Sequence, residues 1–295
     1  MKNFKLVYNS IAGQSKFKYF LDTVIERFMS AGYEVSLFRI SRKTNLYEFI
    51  KEAAKDKDCQ GLIIAGGDGT VNRIINIIMK NGFNIPVGVI PAGTSNDFAR
   101  HIKMPKNFKD SIDKILEFNI QPVDVGKLNN KYFINICSAG LFTNVSQKTD
   151  IGLKNLIGKT SYFVTAVYQM FRFRPINIEI QTKNNIYNEK VYLFLVFNGT
   201  SVGGIDMFTD KSDIQDGLLD ILIIKDCKIR KAILLTAKMM SKKHFEDPNI
   251  LYLKEDYIKI SKIAGECDLP DIDGEEGTEF PLEIRCIKNG IRMFL

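Results

Sequence analysis

The sequence predicts an α/β protein of two domains, a three-layer α/β domain followed by an antiparallel sheet or antiparallel β-sandwich domain. Three observations carry this. The first ~125 residues alternate short apolar runs with amphipathic helical segments, the pattern of a parallel sheet covered by helices on both faces. After about Val123 the pattern changes to strand candidates separated by turn residues. The length, 295 residues, suits about two domains at ~150 residues each. The pattern shift sets a boundary near residue 125; the domains expected are 1–125 and 126–286, with the last strand, about 287–295, a candidate to return to the first domain.

Lys5–Tyr8 is a short apolar strand. Ser15 can cap a helix whose Phe17, Phe20, Leu21, Val24, Ile25, Phe28 and Met29 form one stripe. Gly32 stops it, and Glu34–Ile40 reads as the next strand. A helix around Leu46–Ala54 leads to the buried-strand run Gly61–Ala65, then a helix from Thr70 or Val71 to Met79. Pro86–Ile90 is another apolar strand, and a short helix starts at Asp97. In the second half, Val123–Leu128 and Tyr132–Cys137 flank Asn129-Asn130, a good hairpin turn. Further strands are expected at Asn177–Thr182, Lys190–Phe197, Leu218–Lys225, Tyr257–Ser261 and Pro281–Ile287, with helices at about Lys159–Phe173 and Arg230–Met240.

Composition excludes several classes. With 45% hydrophobic and 25% charged residues, the chain is globular rather than disordered or fibrous. The longest uncharged stretches, Asn81–Asn96 and Tyr132–Gln147, fall short of the ~18–20 apolar residues of a spanning helix, and no signal-peptide segment follows Lys2 and Lys5. A mature protein starting near Met1, in the cytoplasm, is expected. Cys59, Cys137, Cys227, Cys267 and Cys286 are odd in number and lack a C-x-x-C pair, so neither a disulfide frame nor a thiolate zinc site is expected. The formal charge of +7 suits an anionic partner: a nucleotide, a nucleic acid or an acidic lipid surface. No nucleic-acid-reading module accompanies it.

The sharpest local feature is Gly61-Leu-Ile-Ile-Ala-Gly-Gly-Asp-Gly-Thr70, a buried strand ending in a glycine-rich turn before a helix. Such a turn lets the backbone approach a phosphate, and N–H groups at a helix start attract anions. It is neither a Walker loop nor a dinucleotide fingerprint. Asp68 would repel a phosphate unless Mg²⁺ lies between them; the plain alternative is a tight turn with Asp68 as a helix cap. A second loop, Pro91-Ala-Gly-Thr-Ser-Asn-Asp97, repeats the logic after the strand Pro86–Ile90. Two such loops at the carboxyl ends of parallel strands meet where open α/β sheets bind ligands. Asn9-Ser-Ile-Ala-Gly13 is a third, weaker turn of the same kind.

Two acidic clusters follow. Asp210, Asp213, Asp216 and Asp220 surround the turn Asp216-Gly217, which suits Mg²⁺ or a solvated turn equally. Asp268, Asp271, Asp273, Glu275 and Glu276 centre on Asp273-Gly274-Glu275. A hairpin explains Asp-Gly but not the concentration of carboxylates, and a carboxylate among like charges suits a general base. Without a G-x-S-x-G elbow, acyl-transfer hydrolysis is not indicated. Phosphoryl transfer needs phosphate cradles, Mg²⁺ and a carboxylate that orients a hydroxyl, and the sequence offers each.

With Gly66-Gly-Asp-Gly-Thr70, Pro91 to Arg100, Val123-Asp-Val-Gly126 and Asp273-Gly-Glu275 in this order, the chain resembles the soluble bacterial diacylglycerol kinase family, which also includes sphingosine and ceramide kinases. The resemblance implies an α/β nucleotide domain, a β-sandwich domain and an active site between them. It implies ATP and Mg²⁺ as cofactors and diacylglycerol as the acceptor, converted to phosphatidic acid at an anionic membrane surface. Gly66, Gly67, Asp68, Gly69, Thr70, Val71, Asn72 and Arg73 resemble the ATP phosphate loop, and Thr94 the second nucleotide contact. Asn9, Ser10, Ile11, Ala12 and Gly13 resemble the first loop, although Ser10 replaces the family's proline and Ala12 its serine. Ser41 corresponds to a further nucleotide contact. Asp68, Asp97 and Asp124 resemble an acidic water network around the catalytic Mg²⁺. Asp213, Asp216 and Leu218 resemble a structural Mg²⁺ site, through two main-chain oxygens and the Asp216 carboxylate. Asp273 and Glu275 resemble the motif that supplies the catalytic base, either residue being a candidate to accept the proton.

A lipid acceptor requires contact with a bilayer without a span, peripheral at the inner face of the membrane. The apolar stretch Ser161–Arg174, ending in Arg172 and Arg174, with Lys148, Lys154 and Lys159 nearby, suits an interfacial helix, or a buried helix on the sandwich. A dimer through the second domain is a family-level expectation. The competing readings are a kinase of another lipid alcohol (phosphatidylglycerol or a sphingoid base), an NAD kinase, and a non-catalytic nucleotide- or lipid-binding regulator.

Overall fold

The structure is a computed structural model that describes residues 1–11, 17–140, 174–199, 212–228, 230–231, 234–235, 238, 244–265 and 267–295. The chain divides into two compact units, Met1–Val125 with Lys288–Leu295, and Gly126–Ile287.

The first unit is built on a parallel sheet. Strand β1 (Asn3–Tyr8) pairs in parallel with β2 (Glu34–Arg39) and β3 (Cys59–Gly66), and β3 pairs in parallel with β4 (Val87–Pro91). The run from Gly61 to Gly66 is buried at every position, the signature of a strand covered on both faces. Helices α1 (Leu21–Ser30) and α5 (Phe108–Leu116) pack together, as do α2 (Leu46–Lys55) and α3 (Asp68–Asn81). Local chemistry sets their ends. The Asn45 side chain accepts the Glu48 N–H at the start of α2, and Asn107 accepts that of Lys109 at the start of α5. Gly82 closes α3 in the left-handed conformation, φ 63°. The core gathers Phe4, Phe28, Phe118 and Phe294, with Phe4 and Phe28 ring centroids 4.8 Å apart and Phe118 and Phe294 5.8 Å apart.

The second unit is antiparallel. Strand β9 (Ile186–Phe197) pairs with β8 (Ile176–Gln181) through its first half and with β7 (Ile136–Gly140) through its last residues. Its other edge pairs with β10 (Leu219–Lys225), which pairs in turn with β11 (Ile250–Glu255). Strand β8 continues to β12 (Tyr257–Ala264), and β12 to the first residues of β15 (Leu282–Phe294). Strand β7 also pairs with β13 (Asp271–Ile272), which forms a hairpin with β14 (Glu275–Glu276). The main core lies among Phe133, Ile178, Phe194, Val196, Ile221, Ile258 and Ile284. The chain passes between the units within β5 (Ile120–Leu128) and within β15.

Several expectations are corrected. The helix expected from Phe17 opens as a 3₁₀ turn, Phe17–Phe20, and its buried stripe narrows to Phe17, Val24 and Phe28. Helix α3 begins at Asp68 rather than at Thr70 or Val71, with Gly67 as its extended N-cap. Helix α5 and strand β11 were not expected, although Asn107 followed by Ile112 and Ile115 is a cap before an apolar stripe. The strand expected at Tyr132–Cys137 is two strands, β6 (Lys131–Phe133) and β7. They separate because the N–H groups of Ile134, Asn135 and Ile136 turn to one carboxylate, that of Asp273. The helix expected at Lys159–Phe173 lies outside the described residues, as do Lys148, Lys154, Lys159, Arg172, Asp210 and most of Arg230–Met240. Among the described residues no helix is long and apolar enough to cross a membrane.

Candidate active site

Three turns of the first unit follow the carboxyl ends of neighbouring strands β1, β3 and β4, and the structure ties them together. After β1, the Asn9 N–H donates to the Ala65 carbonyl at 3.1 Å, and its side-chain amide donates to Thr70 Oγ1 at 3.3 Å. After β3, Gly66 leaves no room for a side chain, because a Cβ there meets Thr70 Cγ2 at 2.8 Å. After β4, the Ala92 N–H returns to the Gly66 carbonyl at 3.0 Å. A Cβ on Gly93 would stand 2.4 Å from the Gly67 Cα. Glycine at both positions is what lets the two backbones touch.

Polar side chains lock this contact. Asn96, in the left-handed conformation at φ 51°, accepts the Gly93 N–H at 2.8 Å and donates to the Gly93 carbonyl at 2.9 Å. Asp68 accepts the N–H groups of Asp97 at 3.1 Å and Phe98 at 3.0 Å. These open helix α4 (Asp97–His101), so Asp68 caps a helix 29 residues further along the chain. Asp97 is buried and pairs with Arg100 at 3.0 Å. The result is a rigid backbone cradle, with Gly69 open to solvent and Thr94 exposed, beside the first turn of the 14-residue helix α3. The Thr70 and Val71 N–H groups return to the Gly67 carbonyl at 2.9 and 3.1 Å, and the positive end of the helix dipole favours an anion here.

Other expected nucleotide residues are placed differently. Val71 is core. Asn72 is buried and accepts from the Asn76 side chain at 2.9 Å, whereas Arg73 is exposed. Ser41, beyond β2, accepts the Lys43 N–H and donates its own N–H to Thr44 Oγ1. Ser10 accepts from Arg39 Nε at 3.1 Å, a link the sequence reading missed. Ile11 is exposed, and Ala12 and Gly13 lie outside the described residues. Asp124, on β5, is buried and accepts the Asn289 N–H at 2.7 Å, where Asn289 has φ 54°.

The second unit holds the remaining carboxylates. Asp273 and Gly274 both have positive φ, 50° and 88°, the pattern of a two-residue hairpin turn of type I′ between β13 and β14. The Asp273 carboxylate accepts three main-chain N–H groups, from Ile134 at 2.7 Å, Asn135 at 3.0 Å and Ile136 at 2.8 Å. It therefore anchors the hairpin to β7. Glu275 is exposed, and its backbone pairs with Ile272 in this hairpin. Under the hairpin, burial raises the Cys137 thiol far above its ordinary range, and Asp271 and Asp273 add to this. In the other acidic turn, Asp213 accepts the Gln215 N–H, Asp216 accepts the Leu218 N–H and pairs with Lys254 at 2.9 Å, and Asp220 accepts from the Tyr252 hydroxyl. Burial raises the Asp220 carboxyl above its usual range.

Comparison with known proteins gives the family. The model of the diacylglycerol kinase catalytic domain matches residues 3–128, and that of the YegS C-terminal NAD kinase beta sandwich-like domain matches residues 135–295. A diacylglycerol kinase of Bacillus subtilis (strain 168) is 31% identical over 96% of this chain and 93% of its own length. The chain belongs to the bacterial diacylglycerol kinase family. A diacylglycerol kinase of Staphylococcus carnosus (strain TM300) is 28% identical over 99% of this chain and 95% of its own. The crystal structure of a diacylglycerol kinase from Bacillus anthracis str. Sterne gives a TM-score of 0.79 at 25% identity, covering 99% of this chain and 96% of that one. As a diacylglycerol kinase-type lipid kinase, the chain is an enzyme, and its glycine cradle and Asp-Gly-Glu hairpin are the features that call for a catalytic reading.

Proposed function

We propose that the protein uses ATP and Mg²⁺ to phosphorylate the primary hydroxyl of diacylglycerol, giving phosphatidic acid at a membrane surface. The observation that carries this is the pair of glycine turns pressed together at Gly67 and Gly93 and clamped by Asp68. A backbone cradle of that kind suits a polyphosphate, and relatives named diacylglycerol kinase over nearly the whole chain supply the acceptor class.

In this reading the turns around Asn9, Gly66–Thr70 and Thr94 hold the phosphates, with Arg73 and Ser41 at the margins. Val71 and Asn72 support the helix from within. Asp68 and Asp97 keep the cradle rigid, and the lone pairs that Asp68 has left suit water around a cation. Asp124 fixes the return of the last strand. Mg²⁺ bound with ATP would neutralise charge on the phosphoryl oxygens. Glu275 is the proton acceptor: its carboxylate is exposed, whereas that of Asp273 is committed to three amides and serves to position the hairpin. The lipid oxygen bonds to the γ-phosphorus, the bond from the γ-phosphorus to the bridging oxygen breaks, ADP leaves, and the hydroxyl proton passes to Glu275. Transfer of this kind depends on positioning and electrostatics.

The test is phosphorylation of a lipid panel in mixed micelles with labelled ATP and Mg²⁺. Labelled phosphatidic acid from diacylglycerol is the expected result. Label on another lipid alcohol alone would change the acceptor and keep the site. No labelled lipid, together with NADP formed from NAD, would overturn the reading.

A further inference from the structure

The acidic turn before β10 carries a cation of its own. Asp220 and Lys254 are direct cross-strand partners in the β10–β11 ladder, so the ladder register sets the lysine over the turn. Lys254 Nζ lies 2.9 Å from Asp216 Oδ2 and 3.9 Å from Asp220 Oδ1. The other Asp216 oxygen accepts the Leu218 N–H at 2.9 Å. Asp213 is turned to the Gln215 N–H, and Asp220, with its side chain 3% exposed, accepts from the Tyr252 hydroxyl. A divalent ion held by the Asp213 and Leu218 main-chain oxygens would have the Asp216 carboxylate as its one charged ligand. That carboxylate is already neutralised, and a second cation on it would face the ammonium at close range. The residues present therefore do not fit a structural Mg²⁺ here.

We propose that Lys254 takes the place of a divalent cation at this turn, so that the fold around Asp213–Asp220 is held together without metal. The inference rests on the ion-pair geometry of the second unit and is independent of which substrate the enzyme uses.

The experiment is thermal unfolding without nucleotide, in EDTA and across a Mg²⁺ titration, for the native protein, Lys254→Met, and Lys254→Met with Asp216→Asn. The native protein should show the same midpoint in EDTA and in Mg²⁺. Lys254→Met should melt lower in EDTA, by on the order of a few degrees, and recover saturably with Mg²⁺. The double variant should lose that recovery. A saturable Mg²⁺ stabilisation of the native protein that Asp216→Asn abolishes would overturn the proposal, as would a Lys254→Met protein indifferent to Mg²⁺. Should Lys254→Met not fold, Mn²⁺ binding to the native protein, read by electron paramagnetic resonance, decides. Bound Mn²⁺ removed by Asp216→Asn refutes the proposal, and Mn²⁺ binding unchanged by Asp216→Asn supports it.

Discussion

Asp68 accepts the main-chain N–H of Asp97 at 3.1 Å, so a residue in the first turn of α3 fixes where α4 begins. The acidic residue that looks misplaced in a phosphate loop thus has a mechanical duty, joining the turn after β3 to the turn after β4. Removing it should damage geometry first and charge second.

Asp68→Ala is expected to lower stability by about 1 kcal/mol, the worth of a helix cap, and to lower turnover by far more than that loss explains. Thermal unfolding and initial rates measured on the same preparation check this. Turnover unchanged beside a lowered melting point would assign Asp68 a purely structural role.

Gly93→Ala forces apart two backbones, because the added Cβ would stand 2.4 Å from the Gly67 Cα. A shift of that size in the proposed phosphate cradle should reduce kcat/KM on the order of 10²-fold. Steady-state kinetics in ATP at saturating lipid are the measurement, and near-native values would mean that the cradle does not hold the nucleotide.

The Asp-Gly-Glu hairpin separates two roles. Glu275→Gln should leave the melting midpoint in place and cut turnover by roughly 10²–10⁴-fold, the range for a lost general base. Asp273→Asn leaves three amides facing a neutral side chain, which should cost roughly 2–4 kcal/mol of stability. Denaturant unfolding of both variants distinguishes them.

Acid sensitivity has a defined source in Asp247. Its hydrogen bond with Lys238 at 2.6 Å, with help from Asn249, lowers the carboxyl to about 2. A carboxyl depressed on folding adds stability above its unfolded value of ~3.9, and that stability is lost as pH falls through the folded value. The contribution should be complete above about pH 4 and fade toward pH 2. Asp247→Asn should flatten the stability profile in that window.

Cys137 is fully buried and its thiol is raised by that burial. Because the thiolate is the reactive form, native protein should resist thiol reagents at this position, with labelling appearing only as denaturant opens the second unit. Mass spectrometry of labelled peptides reads the result.

Much of this was legible in the sequence because it follows from short-range rules. The uninterrupted apolar run into Gly66 announces a covered strand, and Asp273-Gly274 announces a tight hairpin. What sequence does not carry is the partner of a side chain. Nothing near Asp68 points to the amides of Asp97 and Phe98, and nothing near Asp216 points to Lys254. These pairings arise when separate strands come into register. Similarly, the break between β6 and β7 depends on a carboxylate that lies 137 residues away from Ile136. The missed helix α5 is a different failure, since its Asn107 cap and the Ile112 and Ile115 stripe were in view.

The last strand gives the chain a fixed order of completion. Phe294 is buried in the first unit beside Phe4 and Phe118, and the Leu295 N–H bonds to the Asn119 carbonyl. During synthesis, the unit whose sequence emerges first therefore cannot close its core until residues 288–295 have emerged as well. Until then Phe4 lacks one of its aromatic neighbours, and the second unit, whose residues are all out earlier, is free to finish first.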